Sequence, residues 1–159
     1  MTVAIRPAEA ADVPAIAGLI RGLARYEKLE QEVTMTEELL ARNLFGQHRY
    51  AEALIAEDDG APIGFALFFH NFSTFLAKPG IYLEDLFVVP EHRRRGIGRA
   101  LLQRLAKIAV ERDCGRLEWS VLDWNRDAIG FYERLGARPN SEWTVYRLAG
   151  EALTSLGRE

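Results

Sequence analysis

The stretch Leu86–Leu105, LFVVPEHRRRGIGRALLQRL, joins an apolar, strand-like run to an amphipathic helix through three consecutive arginines and two glycines. Glycines weaken a helix and adjacent like charges repel, so local stability is given up at this one place. A strand-to-helix turn built on glycines lets backbone approach a ligand closely, and the unpaired N–H groups of the first helical turn then point at it. Such a ligand should be an anion. The helix repeats the message, because Arg99, Gln103, Arg104 and Lys107 fill its first turns and no acid appears before Glu111. A helix standing alone favours the reverse order, acids first and bases last. Arg93, Arg94, Arg95 and Arg99 together suit a pyrophosphate.

Working outward, Leu101, Leu102, Leu105, Ile108 and Ala109 give a helix over Gly98–Asp113 that Gly115 stops. Upstream, TVAIRPA alternates as a strand, and Val13, Ile16, Leu19, Ile20 and Leu23 recur at helical spacing behind Asp12, a candidate cap. TMTEELLARNLF opens a second helix with Thr34 and Glu37 in capping-box spacing. AEALIAE, DDGAP and IGFALFFHNF read as strand, tight turn and strand, and GIYLEDLFVV as a third strand of that group. Downstream, RLEWSVL and EWTVYRL are expected strands, with a helix between them that Asn125 caps and Gly136 ends. AGEALTSL adds a terminal helical turn. The order β-α-α-β-β-β-α-β-α-β predicts a mixed α/β (α+β) domain, a central, mostly antiparallel mixed sheet with helices on both faces, formed by residues 1–159 as one unit.

Composition narrows the functional classes. The 159 residues are 48% hydrophobic and 27% charged, with no apolar run of membrane-spanning length, so a soluble chain with no membrane partner is expected. The N-terminus interrupts its apolar stretch with Glu9 and Asp12, unlike a secretory leader, and a cytoplasmic location is expected. A net charge of −3 argues against nucleic-acid binding. Cys114 is the lone cysteine, and His48, His70 and His92 are scattered, so no metal is expected. GIGRAL lacks the third glycine of the dinucleotide fingerprint, which argues against a nicotinamide enzyme.

The spacing Arg93-x-x-Gly96-x-Gly98 resembles the acyl-coenzyme A signature of the GCN5-related N-acetyltransferases. IYLEDLFV before the turn, DWN after the next strand and AIGFYERLGA in the following helix stand where that superfamily has its equivalents, and LARYEKLEQEVTMTEE and EWTVYRL extend the match over most of the chain. The pattern is most similar to the diamine acetyltransferase branch, the spermidine/spermine and thialysine enzymes. The resemblance implies the GNAT fold, acetyl-CoA as co-substrate, a small amine as acceptor and a homodimer. It further implies that backbone at Leu86, Phe87 and Val88 holds the pantetheine and thioester. Arg93, Arg94, Arg95, Gly96, Ile97, Gly98 and Arg99 would hold the pyrophosphate, and Asn125, Arg126, Asp127 and Ala128 the other side of the cofactor. Tyr132 matches the family's catalytic tyrosine. Tyr26, Glu27, Glu84, Glu118, Trp119, Ser120 and Glu142 match positions facing the acceptor.

Acetyl transfer needs a neutral amine, whereas an alkylamine of pKa about 10.4 is protonated at neutral pH. Simple alternation along IYLEDLFVV sets Tyr82, Glu84, Leu86 and Val88 on one face and Leu83, Asp85, Phe87 and Val89 on the other. Glu84 among apolar neighbours is then expected to act as general base, with Tyr132 as the phenol that protonates the leaving thiolate. A bulge near the strand's end would present a backbone N–H of Leu86 or Phe87 to the oxyanion. Where the polyamine enzymes carry an acidic residue before this strand, the chain has NFSTF, Asn71 to Phe75, closer to the thialysine type. A thialysine-like amino acid is therefore the expected acceptor, with a polyamine as the alternative. A coenzyme A-binding regulatory module without turnover is the alternative from another class.

Overall fold

Asp59 and Gly60 both take left-handed backbone angles, φ +49° and +82°, the pair that a two-residue hairpin loop needs. In the computed structural model, which describes residues 3–159, they join β2 (Glu52–Asp58) to β3 (Ala61–Ser73), so the DDGAP turn is where the pattern puts it. β1 (Val3–Pro7) pairs with β2, and β4 (Lys78–Val88) with β3, all antiparallel. Helix α3 (Ile97–Glu111) then crosses over, and β5 (Leu117–Trp119) runs parallel to β4. The sheet order is β1-β2-β3-β4-β5. One parallel pair at the end of an antiparallel meander is the mixed sheet the sequence implies.

Cross-strand register divides the sheet into two buried faces. Ala53, Ile55, Phe65 and Phe87 form one cluster with Ile16, Leu19 and Leu23 of α1 (Val13–Tyr26) and Leu44 of α2 (Glu37–Phe45). The opposite face presents Leu54, Ala56, Ala66, Phe68 and Leu83, all buried, and α3 packs on the sheet with Ile97, Leu101, Leu102, Leu105 and Ala109 turned inward. Each fully buried Leu, Ile or Phe contributes roughly 1.5–3 kcal/mol of transfer free energy. These residues therefore fix the sandwiching of the sheet between helices.

Local caps differ from the sequence reading in three places. Asp12 does not cap α1 with its side chain: its carboxylate accepts two hydrogen bonds from Arg6, at 2.7 and 2.8 Å, and one from the Glu9 N–H. Both carboxylate oxygens are thereby engaged outside α1. At α2 the cap is Thr36, not Thr34, with its hydroxyl accepting from the Leu39 N–H. α3 ends at Glu111, with Arg112 as its C-cap and Asp113 in the left-handed region (φ +55°), ahead of Gly115. Gly115 instead allows close packing, since a Cβ there would lie 2.7 Å from Leu76.

The chain divides into two compact units, the first ending at Ser120 and the second spanning Val121–Glu159. In the second, α4 (Arg126–Arg134) is capped by Asn125, whose side chain accepts from the Ala128 N–H at 3.3 Å, and Gly136 (φ +92°) follows its end. α5 (Gly150–Leu156) matches the expected terminal turn. The expected strand EWTVYRL is absent from the described residues, and RLEWSVL contributes only Leu117–Trp119. A strand needs a neighbour for its N–H and C=O groups, and among its described residues this second unit has none to offer. No helix among the described residues is long and apolar enough to cross a membrane.

Candidate active site

Gly96 caps α3 in the left-handed conformation (φ +77°), and Arg94, two residues earlier, is left-handed as well (φ +63°). Left-handed residues in a turn gather successive backbone N–H groups into an anion-binding concavity. Ile97, Gly98 and Arg99 open the helix, where N–H groups have no intrahelical partner, and no acid occupies the first turn. Around Gly98, and around Gly96, a Cβ would meet no atom within 4 Å. Packing against the protein does not explain Gly98, whereas close approach of a ligand does. The turn therefore fits a pyrophosphate.

The four arginines divide their labour. Arg94 and Arg99 are exposed at the turn. Arg95 pairs with Asp58 at 3.1 Å and contacts His92, fastening the turn to the end of β2. Arg93 donates through Nε to the Val88 carbonyl at 3.0 Å, and its guanidinium lies 4.6 Å from the Tyr26 ring centroid and 5.4 Å from that of Phe87. Arg93 thus links the turn to the C-terminal end of α1, a contact the sequence reading did not foresee.

β5 pairs with β4 only at Ile81, Tyr82 and Leu83. Beyond them, among the described residues, the outer edge of β4 from Glu84 to Val88 carries no strand, and its backbone includes Leu86, Phe87 and Val88. At the point of divergence β4 is bulged. Leu83 pairs with Phe68 and Asp85 with Leu67, leaving Glu84 as the extra residue. This corrects the alternation expected from the sequence, because one inserted residue reverses every side chain beyond it. Asp85 and Phe87 share the face of Leu67, Phe65 and Tyr82, while Leu86 and Val88 join Leu83 on the other.

The face carrying Asp85 and Phe87 is the one that α1 covers. A Cβ on Gly22 would touch the Phe87 ring at 3.0 Å, so the helix comes down close, and Tyr26 and Glu27 lie at its end. Burial and the neighbouring Glu84 and Glu27 charges push the Asp85 carboxyl up to about 7, and burial raises Glu27 as well. Glu84 is exposed. Register places Tyr82 and Glu118 side by side on this face, where the Tyr82 hydroxyl lies 2.6 Å from Ser120 Oγ and the Asn71 amide donates to Glu118 at 3.1 Å. Trp119 is half-buried between them in sequence, facing the other way by alternation. Of the residues chosen from sequence, Glu27 thus lies near Asp85, which was not chosen, while Glu118 and Ser120 gather around Tyr82 on the same face of β4.

In the second unit Tyr132 is half-buried on α4, with its ring centroid 5.5 Å from that of Phe131. Arg126 and Asp127 are exposed at the start of the same helix, Ala128 is half-buried, and Asn125 is buried with its amide oxygen committed to the cap. Glu142 is exposed in the irregular stretch before α5. No group of three His, Cys, Asp or Glu residues among the described residues is disposed to hold a metal ion.

Comparison with known proteins gives a consistent picture. A model of the acetyltransferase (GNAT) family matches residues 18–137. The thialysine N-epsilon-acetyltransferase of Bos taurus is 38% identical over 97% of this chain and 96% of its own length. The L-ornithine N5-acetyltransferase NATA1 of Arabidopsis thaliana is 34% identical over 97% of this chain and 87% of its own. Among solved structures, an integron cassette protein from the mobile metagenome of V. cholerae superposes with a TM-score of 0.85 at 29% identity, over 100% of this chain and 99% of that one.

Proposed function

The chain belongs to the acetyltransferase (GNAT) family, and on that premise we propose that it transfers the acetyl group of acetyl-CoA directly to the primary amine of a small acceptor, a thialysine-like amino acid or a short diamine. What supports this reading is one juxtaposition: the open edge of β4 runs from the carboxylate-bearing bulge straight into the glycine-arginine turn. Acetyl-CoA supplies an activated acyl carbon held as a thioester. The backbone of Leu86, Phe87 and Val88 would hold its pantetheine arm, and the turn from Arg93 to Arg99 its pyrophosphate. Asn125, Arg126, Asp127 and Ala128 would complete the cofactor site. The whole chain is taken to act as one such domain, in the cytoplasm and as a homodimer.

On the acceptor side, Tyr26, Glu27, Glu84, Glu118, Trp119, Ser120 and Glu142 are the candidate contacts. A cluster rich in carboxylates, with Arg93 turned onto Tyr26 and Phe87, suits a cationic amine. A carboxylate on β4 takes the acceptor's proton and Tyr132 gives one to the leaving thiolate. The relatives named for thialysine and ornithine favour an amino acid with a terminal amine over a long polyamine, as does the uncharged NFSTF segment.

The test is acetyl-CoA-dependent thiol release across thialysine, lysine, ornithine, short diamines and spermidine. Turnover is expected on thialysine or ornithine, and Tyr132→Phe should lower kcat by about 100-fold or more with acceptor KM little changed. Tight acetyl-CoA binding with no acetylation of any amine would convert the reading to a coenzyme A-binding regulatory module.

A further inference from the structure

An acid beside an anion site needs a reason, and Asp58 is such an acid. It ends β2, where pairing with Val3 of β1 and Ala61 of β3 holds its backbone on both sides. Its carboxylate reaches the glycine-arginine turn. One oxygen, Oδ2, lies 3.1 Å from Arg95 Nη2 and 3.9 Å from His92 Nδ1, and the other amino group of Arg95 contacts the same His92 nitrogen. All three side chains are half-buried.

The Arg95 guanidinium is thereby committed to the protein, with Nη2 turned to Asp58 and Nη1 to His92. Arg94 and Arg99, by contrast, are exposed and take part in no ion pair among the described residues. The residues on either side of Arg95 are left-handed, Arg94 at φ +63° and Gly96 at φ +77°. For Arg94, which has a Cβ, this conformation is unfavourable and persists only where surrounding contacts fix it. Two sets of contacts do so. Arg95 is held to Asp58, and the chain leading into the turn is held by the Val89 N–H on the Ile63 carbonyl at 2.9 Å and the Arg93 N–H on the Pro90 carbonyl at 3.3 Å.

Electrostatics alone makes Asp58 a liability, because its negative charge repels a pyrophosphate bound at the turn. Resting on the transferase reading above, we infer that Asp58 is a positioning residue for the donor site. Through Arg95 it fixes the turn whose backbone N–H groups, with Arg94 and Arg99, receive the pyrophosphate. The role implied for Arg95 changes accordingly, from phosphate ligand to brace.

Calorimetric titration with acetyl-CoA separates the two roles by sign. Asp58→Asn keeps the shape of the side chain and removes its charge. If Arg95 were a ligand, that variant would free the guanidinium and bind acetyl-CoA more tightly, whereas positioning demands binding about tenfold weaker. Arg95→Gln should lose about as much. The double variant has the net charge of the wild type, so a purely electrostatic role returns it to wild-type affinity; positioning leaves it as weak as either single variant. It also carries the comparison should the unpaired arginine of Asp58→Asn prevent folding, which circular dichroism checks. Asp58→Glu, which still offers Arg95 a carboxylate, should recover most of the loss. With S-acetylpantetheine as donor, which lacks the phosphates, kcat/KM should stay within about twofold of wild type in each variant. Unchanged or tighter acetyl-CoA binding by Asp58→Asn, wild-type affinity in the double variant, or an equal loss with both donors overturns the inference while the transferase reading stands. If the wild type binds no acetyl-CoA, both fall together.

Discussion

Asp85 lies on the face of β4 that α1 covers, and burying a carboxylate there costs stability. Its carboxyl has a reference pKa of 3.8 and is pushed up to about 7 in the fold by burial, Glu84 and Glu27. Below about pH 4 the folded and unfolded chains both hold this proton. Between pH 4 and 7 the folded protein keeps a proton that the unfolded chain has released, so this group's contribution to stability falls as pH rises, and above 7 the penalty is constant. At 1.36 kcal/mol per unit the penalty is roughly 4 kcal/mol at most. Asp85→Asn removes it while preserving shape. The variant should melt higher than wild type at pH 8, and its advantage should disappear as pH falls to 4. Asp12 and Glu52, whose pKa values are lowered by Arg6 and Arg112, act in the opposite sense, but they are common to both proteins and cancel in the difference. A Tm difference independent of pH would show that Asp85 is not held protonated by the fold.

At the scale of elements, the glycine-arginine turn and the bulge were legible to different degrees. The turn announced itself because its cost appears in composition: glycines at a helix start, and bases where acids belong, have no use in a free-standing helix. Gly96 and Gly98 nevertheless differ in what they do. Gly96→Ala forces an L side chain into φ +77° and should cost about 1 kcal/mol, roughly 2–4 °C in Tm. Gly98→Ala meets no strained angle and no neighbour within 4 Å, so it should leave Tm unchanged or slightly raised. Acetyl-CoA should nonetheless bind that variant about tenfold more weakly, because the methyl group occupies space reserved for the ligand. Equal affinity for acetyl-CoA in Gly98→Ala and wild type, by calorimetry, would remove the backbone-approach reading. The bulge was invisible in the pattern, since LEDLFVV alternates as well with one register as with the next. Its only trace was two acids in a row on a strand with both faces buried, a pairing that regular alternation would have left with one carboxylate in the core. The placement of Asp85 on the same face as Tyr82 was missed for that reason.

For the whole molecule, pattern carried the sheet and helices of the first unit closely, because Phe65, Ile55, Leu101 and their neighbours are buried within that unit by local periodicity. It did not carry EWTVYRL, whose alternation is that of a strand but whose partner is not among the described elements of its own unit. Trp143, Val145, Tyr146 and Leu148 are 76, 84, 93 and 48% exposed. Four large apolar side chains within six residues form a patch that a free monomer rarely leaves in water. The homodimer proposed above would give these side chains a surface to cover. Sedimentation equilibrium should therefore return twice the 17.9 kDa of the chain. Trp143→Ser combined with Tyr146→Ser should shift that mass toward the monomer, with far-UV circular dichroism unchanged because neither residue lies in a helix or strand. A wild-type monomer at micromolar concentration would refute the dimer outright. A double variant that stays dimeric would place the interface elsewhere and leave the exposed stretch without a role in assembly.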